Sequence, residues 1–200
     1  SLGNEGTIGP GDVQWMSAGR GILHEEMPRR GPSGDIYGFQ LWVNLPSQLK
    51  MSEPRYQEVT SSTIPTYEKD GVKIRVVAGT VDGVSGPVTD IAASPLYMDV
   101  ELGPDTEWQF PIPSGLTLIS YVFQGEGVFS GDTVDSPKML NFNDGDHIAV
   151  KTENNPVRFM LMAGAPFKEP IVPYGPFVMN TIEEIQQTLK ELRNGTFIKS

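Results

Sequence analysis

Leu96-Tyr97-Met98-Asp99-Val100-Glu101-Leu102 runs directly into Gly103-Pro104-Asp105, and this alternating run closed by a turn signal decides the fold class. Successive side chains of a strand point to opposite faces, so Leu96, Met98, Val100 and Leu102 share one face while Tyr97, Asp99 and Glu101 share the other. Val72–Ala78 repeats the pattern, with Val72, Ile74, Val76 and Ala78 set against Lys73 and Arg75. Residues 37–45 carry it further, with Tyr37, Phe39, Leu41, Val43 and Leu45 on one face. Residues 117–123, 127–130 and 157–163 and His147–Lys151 are further strand segments, and Ile8–Trp15 runs from a turn into another. Pro10-Gly11-Asp12, Lys69-Asp70-Gly71, Asp82-Gly83, Asn143-Asp144-Gly145-Asp146 and Asn154-Asn155-Pro156 punctuate them, and Gly125-Glu126-Gly127 is expected to turn a hairpin. Many short strands between such turns predict an all-β sandwich or barrel.

One helix is expected, over residues 181–194. Thr181 is its N-cap and Glu184 completes a capping box. Ile182, Ile185, Leu189 and Leu192 form a single apolar stripe, and Gly195 is placed to end the helix. Glu183 and Glu184 suit the positive end of its dipole, Lys190 and Arg193 the negative end. A single stripe needs a surface to cover, so the helix is expected to dock on a sheet face.

The composition agrees with short strands and turns: of 200 residues, 22 are glycine and 17 proline. The absence of cysteine excludes disulfides, zinc ribbons, thiol catalysis and thiolate-held iron–sulfur clusters. The only histidines, His24 and His147, exclude a self-contained site of three imidazoles. A net charge of −10 argues against direct nucleic-acid binding, which needs clustered Lys and Arg. No apolar window approaches the roughly 18 residues of a membrane span. Ser1-Leu2-Gly3-Asn4 has no basic–apolar leader, and the chain reads as processed or incomplete at its start.

The segment richest in chemistry is Gly19-Arg20-Gly21-Ile22-Leu23-His24-Glu25-Glu26-Met27-Pro28. In an extended chain His24 and Glu26 project to one face and Glu25 to the other. An imidazole beside a carboxylate supplies two ligands of a mixed N/O site suited to non-haem Fe(II) or another divalent metal. The alternative is a solvated surface pair, and two ligands fall short of the three or more that mononuclear centres generally take. His147 is read as structural or solvated.

The stretch from Gly9-Pro10-Gly11-Asp12-Val13-Gln14-Trp15-Met16-Ser17-Ala18 through Gly19–Pro28 resembles the signature of the pirin family. Phe39-Gln40-Leu41-Trp42-Val43-Asn44-Leu45, Pro54-Arg55-Tyr56-Gln57-Glu58 and Gly175-Pro176-Phe177-Val178-Met179-Asn180-Thr181 extend the resemblance, which covers about residues 3–197 and is looser between Thr80 and Lys168. It implies a bicupin of two packed β-barrels with a C-terminal helix. The resemblance divides the chain into 1–60, the remainder of an N-terminal cupin domain; 61–175, a C-terminal cupin domain; and 176–200, a segment whose helix docks on the barrels. It also implies one Fe(II), held by three histidines and one glutamate, two of which map onto His24 and Glu26. Mn, Ni or Co are the alternative metals.

Several members of that family cleave quercetin with O2, so the resemblance implies a small, flavonol-like aromatic substrate. Glu26 is then a candidate base for the substrate hydroxyl. Gln14, Trp15 and Met16 are candidate pocket residues, with Gln14 supporting the ligands by a hydrogen bond. For Trp15, Met16 and Trp42 the alternative is core packing. Animal members are described as iron-dependent nuclear cofactors of transcription factors, so the second reading is a non-enzymatic regulator that binds a protein partner. Cytoplasmic location is expected, or nuclear in a eukaryote.

The sequence departs from the family in one respect: the upstream His-x-His that supplies the other two ligands is absent. The expectation is therefore a piece of a longer protein, or a shortened member with an impaired site. Such a chain should bind iron weakly, expose strand edges, and be less stable than its second barrel alone.

Overall fold

Among the described residues the chain forms fifteen strands and one α-helix in a computed structural model that covers residues 6–31 and 34–198. Residues 1–5, where the start of the chain was read from sequence, lie outside that description. The chain divides into two compact units, one drawing on Met16–Tyr56 and Lys168–Ser200, the other on Ile8–Trp15 and Gln57–Phe167. Strands β1 (Val13–Ser17) and β2 (Arg55–Val59) pair with each other, and the division of the chain passes through both.

The second unit is the β domain. Its strands are β3 (Thr66–Lys69), β4 (Val72–Ala78), β5 (Thr80–Val81), β6 (Val84–Ser85), β7 (Leu96–Leu102), β8 (Glu107–Pro111), β9 (Thr117–Phe129), β10 (Asp132–Asp135), β11 (Lys138–Asn141), β12 (His147–Lys151) and β13 (Val157–Gly164). They form one curled sheet in the order β3-β4-β7-β13-β9-β12-β8, with β10 and β11 also on β9 and β5–β6 as a separate ribbon. The hairpin between β3 and β4 shows the local rule. Lys69 pairs with Val72, so Asp70-Gly71 is a two-residue loop, and both of its residues take positive φ (48° and 81°). An Asp-Gly loop with this handedness matches the twist of the strands it joins.

Alternation then builds the core. Ile74, Val76, Met98, Val100, Leu102, Val122, Ile148, Phe159 and Leu161 have no exposed surface, and all point into one cluster. Phe159 meets Phe129 edge-on at 5.0 Å and Trp108 at 6.1 Å, and Trp108 stacks on Phe110. Within this apolar interior the Ser120 hydroxyl is buried with no hydrogen-bond partner. On the opposite face of the sheet Arg158 donates two hydrogen bonds to Asp99, at 2.8 and 2.6 Å, and lies over the Phe123 ring.

One turn expectation is corrected here. Gly125-Glu126-Gly127 is not a hairpin but part of the unbroken strand β9. The β9–β13 register shifts between Arg158 and Phe159, and Gly125 (φ 71°) lies so close to the Pro156 carbonyl that a Cβ would collide with it. The glycine makes room for a bulge that bends the strand, and a bulge and a turn have the same local sequence signal.

Ile8–Trp15 is stitched to the β domain. The Asp12 carboxylate accepts the Gly9 and Ser61 backbone N–H groups at 2.8 and 2.7 Å, while Arg75 donates to the Gly11 carbonyl and the Ser61 hydroxyl. The Ser61 and Gly9 N–H bonds, with help from Arg75, hold Asp12 below the usual carboxylate pKa. A smaller core of Val59, Ile64, Val77, Ala78 and Val88 lies there, with Val13 and Trp15 against it.

The other unit is built differently. It holds a short hairpin, β14 (Val172–Tyr174) with β15 (Phe177–Met179), and helix α1 (Ile182–Asn194), which packs on that hairpin and buries Ile185. Thr181 and Glu184 form the expected capping box, and Gly195 ends the helix in the left-handed conformation. Residues 37–45, expected to be a strand, hold no strand. Tyr37, Phe39, Leu41 and Trp42 are between 41 and 70% exposed. Alternation sorts side chains onto two faces, but a strand also needs a neighbour for its backbone groups.

Candidate metal centre

The segment that carries His24 begins at a clamped turn. The Gly21 N–H donates to the Ala18 carbonyl at 2.9 Å, and the Arg20 N–H donates to the Ser52 carbonyl at 2.8 Å. Gly19 and Gly21 both have positive φ, 50° and 117°. A Cβ at Gly19 would run into the Ser52 carbonyl, and one at Gly21 into the Phe197 ring. Arg20 also pairs with Glu53 at 3.6 Å.

Beyond that turn His24 and Glu26 come together. His24 Nδ1 lies 3.9 Å from Glu26 Oε1, with the side chains 40 and 60% exposed. The pair fits a divalent cation in donor chemistry, offering one imidazole nitrogen and one carboxylate oxygen. It is short in number: among the described residues no group of three or more His, Cys, Asp or Glu comes close enough to hold a metal. His24 and Glu26 can thus supply part of a coordination sphere. His147, at the start of β12, sits against Asp146 (Nδ1–Oδ1 2.6 Å) on the surface of the other unit. The hydrogen bond to His147 holds the Asp146 carboxyl below its usual pKa.

The three candidate pocket residues are consecutive on β1, so Gln14 and Met16 share one face of the strand and Trp15 lies on the other. The Gln14 amide donates to Glu58 at 3.3 Å. Trp15 is committed to packing, edge-on to Tyr97 at 6.2 Å and beside the smaller core. Trp42, weighed as pocket or core, is 61% exposed and lies outside the core.

Sequence reading missed a polar network around one buried lysine in the first unit. Lys50, 6% exposed, donates to Asn44 Oδ1 at 2.6 Å. Glu169 accepts from the Ser47 N–H, the Ser47 hydroxyl and the Asn180 amide, and Glu184 accepts the Asn180 and Thr181 N–H groups. Burial pushes the Lys50 pKa down, against the pull of Glu169 and Glu184, while the Ser47 N–H is the main cause that holds Glu169 low. These groups are scattered along the chain, and no local periodicity announces them.

A curled antiparallel sheet with an apolar interior, a single helix and a His-x-Glu pair at the start of the chain defines a cupin-type protein. The comparisons narrow that class. The Pirin C-terminal cupin domain model matches residues 97–198 and the Pirin model residues 1–43. A putative pirin-like protein of Arabidopsis thaliana is 44% identical over 200 residues, with 96% of this chain and 72% of the relative covered. Human pirin is 41% identical over 198 residues, with 96 and 67% covered. The chain belongs to the pirin family.

Among solved structures, a quercetin 2,3-dioxygenase from Acinetobacter baumannii superposes with a TM-score of 0.86 at 33% identity, covering 98% of this chain and 69% of that one. A bacterial pirin from Escherichia coli, solved in complex with nickel(II), shares the fold at 20% identity and a TM-score of 0.62, with 82 and 66% covered. No helix among the described residues is long and apolar enough to cross a membrane.

Proposed function

We propose that this pirin-family cupin works as a metal-dependent dioxygenase of the quercetin 2,3-dioxygenase type, with Fe(II) as its metal and a flavonol-like aromatic as its substrate. The observation that carries the proposal is the meeting of His24 and Glu26 at 3.9 Å on an accessible surface. The 33% identity to a quercetin 2,3-dioxygenase supports it. His24 and Glu26 would be two of the metal's ligands, and no His-x-His occurs in this sequence. A metal there supplies Lewis acidity and a template for bringing substrate and O2 together. Glu26, 60% exposed, would serve as base for a flavonol hydroxyl by shifting in the coordination sphere to free a carboxylate oxygen. In this reading residues 1–60 belong to an N-terminal cupin domain, 61–175 form the C-terminal one, and 176–200 carry the 181–194 helix.

Anaerobic Fe(II) loading of a gene product that includes the family's His-x-His, followed by quercetin and O2-uptake measurements, tests this. Substrate-dependent uptake that disappears in His24→Ala supports the assignment; no uptake in the loaded protein sinks it.

A second reading, an iron-dependent regulator that binds a protein partner, is favoured by Leu23 and Met27, which flank the pair at 54 and 75% exposure. Apolar side chains beside a metal site suit a contact surface whose shape follows the metal. Partners recovered from a pull-down should then change on chelation or in His24→Ala, and an unchanged set removes this reading.

A further inference from the structure

Phe197 lies almost at the end of the chain and is 7% exposed. Its placement follows from how α1 stops. The Gly195 N–H donates to the Leu192 carbonyl and the Thr196 N–H to the Glu191 carbonyl, a closure that reverses the chain after the helix. Phe197 is thereby turned inward, edge-on to Phe177 of β15 at 6.0 Å, and its ring lies on Gly21. Gly21 needs both of its special properties there: a φ of 117° and the absence of a Cβ. On the other side of the same turn the Ser52 carbonyl takes the Arg20 N–H and leaves no space for a side chain at Gly19. The turn is thus gripped between an aromatic ring and a backbone carbonyl, and His24 follows Gly21 by three residues.

We propose that Phe197 is a positioning residue for the metal pair: by pressing on Gly21 it sets the direction in which the chain leaves the turn, and so where His24 and Glu26 point. The inference rests on the reading of His24 and Glu26 as ligands. Neither hydrogen bond nor charge links Phe197 to the pair, so its effect is transmitted through the backbone of residues 21–24. Hydrogen-bonded partners of metal ligands are worth about 10- to 100-fold in metal affinity, and a ring that acts only through the backbone is placed at the low end of that range.

The test is a graded series, Phe197→Leu and Phe197→Ala, in the full chain. Anaerobic Fe(II) titration gives the affinity, Cu(II) electron paramagnetic resonance reads the imidazole nitrogen signature, and hydrogen exchange follows the amides of residues 19–26. Phe197→Ala should weaken Fe(II) binding about tenfold, blur the nitrogen hyperfine pattern and speed exchange, with Phe197→Leu in between. Affinity, spectrum and exchange that match the unsubstituted protein overturn the proposal. Where Phe197→Ala does not fold, Phe197→Leu decides: faster exchange over 19–26 supports the role and unchanged exchange overturns it. His24→Ala and Glu26→Gln are run alongside. Unchanged Fe(II) affinity in both defeats the ligand reading itself, and exchange in the Phe197 series still reports whether the clamp exists.

Discussion

The β domain and the unit that carries His24 treat the same kind of sequence in opposite ways. In the first, alternating apolar residues disappear: Ile74, Met98, Val100, Leu102 and Phe159 have no exposed surface. In the second, Leu23, Met27, Ile36, Tyr37, Phe39, Leu41, Trp42 and Met51 are all more than 40% exposed, while Ile185 and Phe197 are buried. The difference lies in backbone pairing rather than in hydrophobicity. Each long strand of the β domain has neighbours to satisfy its N–H and C=O groups, as β13 does with β7 and β9. Residues 37–45 hold no strand, and without a ladder the alternation has no sheet face to bury. A small unit of this kind depends on point contacts: a capping box, a buried lysine, a ring on a glycine.

This contrast can be broken by experiment. Phe159→Ala, at the centre of the aromatic cluster, should destabilise the β domain by about 3–5 kcal/mol in urea unfolding, whereas Trp42→Ala should stay within about 0.5 kcal/mol. Comparable losses in the two variants would mean that the units do not differ as described. Thr181→Ala removes one half of the capping box of α1 and should cost about 1 kcal/mol, seen as loss of helical circular dichroism at lower denaturant. Ser120→Ala removes a buried hydroxyl that has no partner, so the β domain should melt at the same temperature or slightly higher, a gain of about 1 kcal/mol at most. A clear loss would reveal a hydrogen bond to that hydroxyl.

The smallest effect is acid sensitivity. Asp12 and Glu169 both titrate below their ordinary values of 3.8 and 4.5. A carboxylate with a lowered folded pKa contributes stability that is complete above its ordinary value and is lost as the pH falls through the folded one. Stability should therefore begin to decline below about pH 4.5. Glu169→Gln should flatten the acid slope of the helical unit, and Asp12→Asn that of the β domain. Identical slopes in the two variants and the parent would remove these carboxylates as the cause.

Much of the β domain was legible in advance, because its signals are local. Val72–Ala78, Leu96–Leu102 and His147–Lys151 are strands with the bounds that alternation and turns imply, and Thr181 and Glu184 cap the helix as their spacing requires. Gly125-Glu126-Gly127 misled because a bulge and a hairpin both ask for glycine, and only the position of Pro156, just before the neighbouring strand, tells them apart. Residues 37–45 misled because pairing is a property of two segments and alternation a property of one.

The candidate site divides along the same line. By itself the sequence determined the all-β class, the C-terminal helix and the His-x-Glu spacing that sets an imidazole beside a carboxylate. Each of these follows from residue type and from separations of a few positions. The tertiary structure decided that Trp15 packs on Tyr97, that Lys50 is buried among Asn44, Glu169 and Glu184, and that Phe197 rests on Gly21. Those contacts join residues far apart in the chain, and their energies depend on burial and close approach, which exist only once the chain has folded.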